Sequence, residues 1–314
     1  MLPFEHFLNR RQFMTISALA AVQMTAGCSP STIAAEGKPL HHTISGFRNY
    51  PLTPEPETPG LSFMWRRLKA LYDKPSVPAG HIIPEKSAIA DFRNNPNQAT
   101  LTWIGHTTYL LKLENKVFLL DPFFSEIASP LPIGLERYVA PGISLANLPK
   151  IDGIIISHNH YDHLDSDSLK KLPQKESIAV FVPLGLKKFF KKLGFKKIWE
   201  LDWNQAQEYE GIRLTALPAV HFSNRGLGDR NETLWCSWAI ESKSSSCYFA
   251  GDTAYSDVIF KEIGSKFSRF DIAIVPIGAY LPANVMSAVH TNPEEAIQIA
   301  NDVKADMIIP SHWG

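Results

Sequence analysis

A short run of potential metal ligands constrains this 314-residue chain more than any other feature of its sequence. Residues 158–163 read His-Asn-His-Tyr-Asp-His, so four side chains that can bind a metal ion lie within six positions. The run directly follows residues 151–156, a short apolar segment rich in β-branched residues that predicts a buried strand. We therefore expect a polar loop at the end of a central strand, which is where α/β scaffolds place their chemistry.

The spacing inside this loop predicts where its side chains point. His158 and His160 are two positions apart, so in an extended segment they face the same side and can hold one ion together. A turn after them would direct Asp162 and His163 toward a second ion. Neutral imidazoles and a carboxylate suit Zn²⁺, which binds such atoms at about 2.0–2.2 Å. The alternative interpretation is a polar loop whose histidines are coincidental.

Three further candidate ligands follow apolar runs that predict strands. They are His221, Asp252 and His312. Any one of them alone would more often cap an element or lie on the surface. Together with the dense loop, they predict one metal centre at a shared edge of the strands.

The order of apolar runs and helical patterns predicts an α/β fold. The strands fall into two groups with helices after each, which favours two sheets packed face to face with helices outside. Ser256 is expected to cap one helix, and Asn292, Pro293 and Glu295 have the pattern of a capping box with proline at the first helical position. The predicted strands are 101–106, 108–113, 116–120, 151–156, 179–183, 211–217, 234–241, 247–249, 271–276 and 307–310, and the predicted helices are 61–71, 166–172, 185–193 and 256–267.

Composition excludes several classes of protein. Hydrophobic residues make up 45% of the chain, which is enough to fill a large core and excludes a wholly disordered chain. Lys plus Arg and Asp plus Glu both number 31, and this zero net charge argues against a general nucleic-acid binder. Three cysteines cannot form a disulfide scaffold.

The first 28 residues have the pattern of an export signal. Arg10-Arg11 resembles a twin-arginine motif, and the apolar stretch after it is too short to span a bilayer comfortably. Residues 25–28 resemble a bacterial lipobox, in which Cys28 would become lipidated. We therefore expect an exported protein, either periplasmic or held at the membrane surface by a lipid anchor. The alternative is a buried N-terminal helix that ends in a structural cysteine.

The rest of the chain divides into three parts by composition. Residues 29–60 are rich in proline, serine and threonine and are interpreted as a linker. Residues 61–98 are expected to be an extension that packs on the main domain, and residues 99–314 form that domain. Within it, a lysine-rich segment over 187–197 has two interpretations: a basic helix that lies on an anionic membrane, or an ordinary surface helix with its apolar side in the core.

The run at 158–163 resembles the HxHxDH motif of the metallo-β-lactamase superfamily, and His221, Asp252 and His312 stand at its later ligand positions. TWIGHTTYLL, DPFFS, PIGAY and HTNPEEA resemble N-acylphosphatidylethanolamine-hydrolysing phospholipase D and its bacterial relatives. GFRNYP and MWRRLK extend this likeness back to about Phe47.

The resemblance implies a fold and a set of ligands. The fold would be an αββα four-layer sandwich with two Zn²⁺ ions at one edge. His158, His160 and His221 would bind the first zinc, while the second would take Asp162, His163 and His312, with Asp252 between the two. His290 would lie near the substrate phosphate and assist catalysis together with Asp162 and Asp252. His106 is interpreted as structural or orienting, and Asp121 as a supporting residue.

The resemblance also implies a reaction. A metal-bridging hydroxide would cleave N-acylphosphatidylethanolamine to phosphatidic acid and an N-acylethanolamine, so the expected partner is a phospholipid and not a nucleic acid. Two alternatives stay open: a hydrolase of the same fold that acts on a soluble lactone or phosphodiester, and a non-catalytic metal-binding module. Because a helix and a strand usually follow the last ligand in this family, the chain is expected to be truncated after Gly314.

Overall fold

Two six-stranded sheets form the centre of the protein. The computed structural model describes residues 33–54, 57, 59–70, 76–78, 80–95, 99–131, 134 and 136–313. The first sheet contains, in spatial order, β3 (Thr100–Gly105), β4 (Thr108–Leu113), β5 (Lys116–Leu120), β6 (Gly153–Ile155), β7 (Ala179–Pro183) and β8 (Lys197–Leu201). The second has the order β14 (Ala305–Ser311), β13 (Phe270–Pro276), β12 (Ser246–Phe249), β11 (Ser237–Glu241), β10 (Ile212–Leu217) and β9 (Ala206–Tyr209).

The two sheets pack face to face because successive side chains along each strand point to opposite faces of the sheet, and both faces are apolar. Phe118 of β5 and Phe181 of β7 point inward, where they share one buried cluster with Trp238 and Phe249 of the second sheet. The intervening residues point outward into separate clusters beneath the helices. Burying each such side chain stabilises the fold by about 1.5–3 kcal/mol. Both faces of each sheet are therefore covered.

Helices cover both outer faces. On the first sheet lie α2 (Glu85–Asn94), α3 (Ser166–Lys171) and α4 (Lys187–Lys192), and on the second lie α5 (Asp257–Lys266) and α7 (Pro293–Asp302). The remaining helices are α1 (Leu61–Ala70), the short α6 (Ala283–Met286) and a 3₁₀ turn over Leu145–Asn147. This order of layers is the α/β sandwich that the sequence predicts. In the described part of the chain, no helix has both the length and the apolar character needed to cross a bilayer.

The predicted helix caps are present. The Ser256 side chain accepts a hydrogen bond from the Ile259 amide at the start of α5. Asn292 and Glu295 form the reciprocal capping box at the start of α7, with Pro293 in the first turn. The lysine-rich α4 buries Phe190 and packs Phe189 against the same cluster, which supports the interpretation of an ordinary surface helix.

The N-terminal part of the chain contacts the domain. Within the segment 29–60, which the sequence predicts to be a linker, residues 33–53 lie against the domain through Phe47, His41 and His42; we call residues 33–53 the N-terminal strap. It contains β1 (His42–Thr43) and β2 (Gly46–Phe47), and the Phe47 ring joins the cluster between the sheets. The apolar ring of Phe47 and the polar contacts of His41 and His42 hold this segment on the domain. The export and lipobox predictions for residues 1–28 lie outside the described residues.

The direction of the strands brings the candidate ligands to one edge. In the first sheet β5, β6 and β7 run parallel. In the second, β12, β13 and β14 run parallel, and β10 shares their direction because it is antiparallel to β11, which is antiparallel to β12. Candidate site residues therefore follow the carboxyl ends of β5, β6, β10, β12 and β14.

Candidate metal centre

Three histidines from two sheets form the first group of donors. His158 and His160 follow β6, and His221 follows β10. The His160 Nδ1 atom lies 2.9 Å from His158 Nε2 and 3.3 Å from His221 Nε2. His158 and His221 are buried and His160 is half-buried, and the three nitrogens converge on one point. The expectation that His158 and His160 face the same side is therefore met by the geometry.

Hydrogen bonds on the far side of the rings determine which nitrogen faces this point. The Val289 carbonyl can only accept, so the His221 Nδ1 atom, 2.9 Å away, carries the proton. The Ser157 hydroxyl donates to the Asp121 carboxylate at 2.5 Å and therefore accepts from His158 Nδ1 at 2.9 Å. In both neutral rings Nε2 then presents a lone pair toward the other histidines, which suits a cation.

The second group of donors combines carboxylates with imidazoles. The Asp162 Oδ2 atom lies 3.3 Å from His312 Nε2 and 3.6 Å from His163 Nε2. The far nitrogen of His163, Nδ1, donates to Asp121 at 2.7 Å. Asp121 is fully buried. Through hydrogen bonds it supports ligand candidates of both groups, His163 directly and His158 through Ser157.

Asp252 lies between the two groups. Its Oδ2 atom is 3.3 Å from both His163 Nε2 and His312 Nε2, and 3.8 Å from His221 Nε2. The side chain is almost fully buried, and its other oxygen, Oδ1, makes no hydrogen bond to any described residue. One carboxylate therefore contacts imidazoles of both donor groups.

The charges in the centre favour a cation. Burial raises the pKa of Asp252, but neighbouring His163 and His312 outweigh it and hold this pKa well below its ordinary range. Burial opposes a charge on His163, yet Asp252, Asp162 and Asp121 raise its pKa well above its ordinary value. A divalent ion would replace the protons that balance these carboxylates, so metal affinity is expected to rise with pH.

The histidines of the first group stay neutral. Burial lowers the pKa of His221 to about 3 and that of His160 to about 4, and nearby carboxylates only partly oppose this effect. Burial also lowers the pKa of His158 well below its ordinary value. Neutral imidazole is the form that binds a metal ion, so this group is ready for one at pH 7.

Two more histidines border the centre. His290 Nδ1 lies 3.8 Å from Asp252 Oδ2 and makes no hydrogen bond to any described residue, and burial lowers the pKa of His290 to about 3. His106 Nε2 lies 3.1 Å from Asp162 Oδ2. His106 thus contacts a ligand candidate directly, as the orienting interpretation requires. His290 lies beside Asp252, the residue between the two donor groups.

The backbone around the centre is unusual at three site residues. His106, Asp121 and His312 have φ angles of 54°, 39° and 60°, in the left-handed region that non-glycine residues rarely adopt. Gly251, with φ +61°, precedes Asp252, and a Cβ there would lie only 2.5 Å from the Ser157 Cβ. Tight approach of the two sheets therefore depends on a glycine at this position.

Several supporting residues were not singled out from the sequence. Ser157 joins Asp121 to His158, and Thr107 donates to the Asp162 carbonyl at 2.9 Å. Arg225 donates to the carbonyls of Asn159 and Leu164 at 3.0 and 2.7 Å, on both sides of the ligand loop. The polar position of Ser157 at a strand end was an available signal, whereas nothing in the local pattern marked Arg225.

The donor set fits a divalent metal. The first group brings three imidazole nitrogens together, and the second combines imidazole nitrogens with carboxylate oxygens at a spacing that can hold an ion. The buried atoms that lack a hydrogen bond to the described residues include His163 Nε2 and Asp252 Oδ1. Because buried polar atoms are normally paired, such atoms indicate a ligand that is an ion. His158, His160 and His221 would hold one ion, and Asp162, His163 and His312 another, with Asp252 between them.

Comparison with known proteins agrees with this geometry. The profile of the β-lactamase superfamily domain matches residues 116–313. The N-acyl-phosphatidylethanolamine-hydrolyzing phospholipase D 1 of Caenorhabditis elegans is 40% identical over 243 residues, which cover 74% of this chain and 68% of that protein. The mitochondrial enzyme of that name from Saccharomyces cerevisiae is 33% identical over 68% of this chain, which spans 47% of the yeast protein.

A solved structure shows the same fold at low identity. The isothiocyanate hydrolase from Delia radicum gut bacteria superposes with a TM-score of 0.54 at 21% identity, covering 68% of this chain and 84% of that one. The fold implies divalent metal binding, and the converging His and Asp side chains are present. Profile, relatives and fold together show that the chain belongs to the metallo-β-lactamase superfamily of metal-dependent hydrolases.

Proposed function

We propose that this chain is a zinc-dependent phosphodiester hydrolase that cleaves N-acylphosphatidylethanolamine to phosphatidic acid and an N-acylethanolamine. The observation that carries the proposal is the Asp252 carboxylate, whose Oδ2 atom lies 3.3–3.8 Å from imidazoles of both donor groups. The choice of substrate is supported by the nematode relative, 40% identical, whose name states this activity. A carboxylate that contacts both donor groups suits a pair of metal ions that act together on one phosphodiester.

The protein's contribution would be to hold and orient the reacting groups. Two bound divalent ions would lower the pKa of a water molecule toward about 7 and neutralise charge on the phosphoryl oxygens. Asp162 is kept in place by His106, 3.1 Å away, and by the backbone bond from Thr107. Because these donors already satisfy part of its hydrogen-bonding capacity, Asp162 would not need to reorganise during the reaction.

His290 is the residue we assign to the leaving group side. It is neutral at pH 7, since burial lowers its pKa to about 3, and its Nδ1 atom makes no hydrogen bond to the described residues. A neutral imidazole at this place can donate a hydrogen bond to a phosphoryl or leaving oxygen. Its ring packs between those of His221 and His312, at 5.2 Å from each, which limits its rotation.

The experiment is metal analysis of the purified protein together with a substrate screen. We expect two zinc equivalents and turnover of detergent-dispersed N-acylphosphatidylethanolamine. Turnover restricted to soluble lactones or phosphodiesters would replace the proposed substrate but keep the metal centre. A protein with neither bound metal nor hydrolysis would be a binding module, and the proposal would fail.

A matched pair of variants distinguishes the effect of losing a residue of the metal centre from that of losing a surface residue. Asp162→Ala should abolish hydrolysis and reduce bound zinc, because Asp162 lies 3.3 Å from His312 and 3.6 Å from His163. Asp167→Ala on α3 is the control, since its side chain is 66% exposed and pairs with the exposed Lys170. Unchanged turnover of Asp162→Ala with two zinc ions bound would refute the mechanism.

A further inference from the structure

The N-terminal strap reaches the metal centre. Its backbone is held by the Phe47 amide, which donates to the Asn231 carbonyl at 2.8 Å, and by the buried Phe47 ring. At its other end, His41 and His42 donate to the two oxygens of Asp202 at 2.6 and 2.7 Å. These anchors place the next residues of the strap, including Asn49, beside the loop that follows β10.

Asn49 binds that loop with a single side-chain oxygen. Its Oδ1 atom accepts from the His221 amide at 3.1 Å and from the Trp235 indole nitrogen at 3.0 Å. The indole nitrogen also lies 3.0 Å from the Ala219 carbonyl, so the Trp235 ring and the Asn49 amide enclose the backbone just before His221. The two donors to Oδ1 set the orientation of the amide, and its nitrogen donates in turn to the Thr53 hydroxyl at 3.2 Å.

His221 lies four residues beyond the end of β10 at Leu217. The residue before it, Val220, pairs with Ala254, whose amide donates to the Val220 carbonyl at 2.8 Å, and the His221 amide itself donates to Asn49. Its ring is oriented by the Val289 carbonyl, and its main chain by Asn49. These two contacts hold the backbone amide and the far ring nitrogen of His221, while its Nε2 atom lies 3.3 Å from His160 Nδ1.

We propose that Asn49 is a positioning residue of the metal centre, which fixes the main chain of His221 and thereby the aim of that ligand. This inference rests on the proposed function to the extent that His221 binds a metal ion. It assigns a role to the GFRNYP segment, which comes more than 170 positions before the residue it would hold. Removing a residue that hydrogen-bonds to a metal ligand typically lowers metal affinity or activity about 10–100-fold.

The test uses two substitutions at Asn49 in the full chain, with zinc and cobalt as probes. Asn49→Leu keeps the size but removes the acceptor, and we expect one of the two metal equivalents to bind about 10–100-fold more weakly. Asn49→Asp keeps the acceptor oxygen and should restore affinity to within a few-fold of the parent. The absorption spectrum of the cobalt-loaded protein should change in the Leu variant, because the first donor group is distorted.

Two further variants serve as controls, one at the neighbouring Thr53 and a milder one at Asn49. Thr53→Val removes only the bond to the Asn49 amide nitrogen, so metal binding should stay close to that of the parent. Asn49→Ala replaces the Leu variant if the latter does not fold, as judged by thermal unfolding. Parental affinity for both equivalents in the variants that lack the acceptor, or equal damage in Asn49→Asp, overturns the inference. A parent protein that binds no metal refutes the proposed function instead.

Discussion

The described part of the chain contains two clusters of histidine and aspartate, and they differ in how their polar atoms are paired. In the metal centre, lone-pair nitrogens face each other at 2.9 and 3.3 Å, and the Asp252 carboxylate stands 3.3–3.8 Å from imidazoles. In the second cluster, which we call the latch, His41 and His42 donate to Asp202 at 2.6 and 2.7 Å.

Residue types alone therefore do not define a metal site. In the latch each Asp202 oxygen accepts a bond from one ring, and Oδ1 also accepts from the Trp203 amide at 2.8 Å. In the metal centre, by contrast, buried atoms of His163 and Asp252 make no hydrogen bond within the described ranges. The same donors therefore fasten a segment in one place and attract a cation in the other.

The largest expected effect comes from the residue between the two donor groups. Asp252→Asn removes the charge that both groups share, so we expect loss of bound metal and a fall in kcat of about a thousand-fold or more, equivalent to several kcal/mol of transition-state stabilisation. Metal analysis and kinetics of the purified variant measure both. If two ions stay bound and turnover persists, the carboxylate does not join the groups.

A smaller effect is expected from the arginine that holds the ligand loop. The Arg225 guanidinium reaches the Asn159 and Leu164 carbonyls and the Ser166 hydroxyl, and it lies 4.0 Å from the centre of the Tyr161 ring. A lysine cannot make these contacts together, so Arg225→Lys should weaken metal binding about 10–100-fold.

Competition with a chelator measures that affinity. The control is Arg213→Lys, because Arg213 lies at the surface of β10, where its side chain is 54% exposed and pairs with Glu208. Only the Arg225 variant should lose metal to the chelator. Equal retention by both variants would show that the loop keeps its geometry without the guanidinium.

The smallest expected effect on the metal comes from the latch. Asp202→Ala leaves two buried or half-buried imidazoles without their acceptor, so we expect a loss of about 1.5–3 kcal/mol in the free energy of unfolding at pH 7. The number of bound metal ions at saturation should not change. A loss of one metal equivalent in this variant would mean that the latch, too, is a metal site.

The pH dependence of the free energy of unfolding gives a second test of the latch in the same variant. Burial raises the pKa of Asp202, but the hydrogen bonds from His41 and His42 outweigh it, so this pKa lies below its ordinary value. A carboxyl with a lowered pKa contributes its full stability above the unfolded value of about 3.9, and that stability is lost as the pH falls through the folded pKa. The gap between parent and Asp202→Ala should therefore shrink below about pH 4, as followed by urea unfolding.

Local patterns predicted much of the fold. β7 and the caps at Ser256 and Asn292 agree with the sequence, since burial pattern and capping are decided within a few residues. β8, β9 and α2 were not among the predicted elements. β9 has no fully buried residue and β8 alternates irregularly, so their pairing with neighbouring strands decides their structure.

For the site, the sequence by itself determined the ligand loop and the fact that several histidines and aspartates end strands, because spacing and strand ends are local properties. Only the tertiary structure decided which lone pairs face each other, that Asp252 contacts both groups, and that Asp121 and Arg225 hold the loop. It also decided that residues 33–53 are a docked strap. The reason is physical: hydrogen-bond partners and burial depend on residues up to about 200 positions apart, which meet only when two sheets pack.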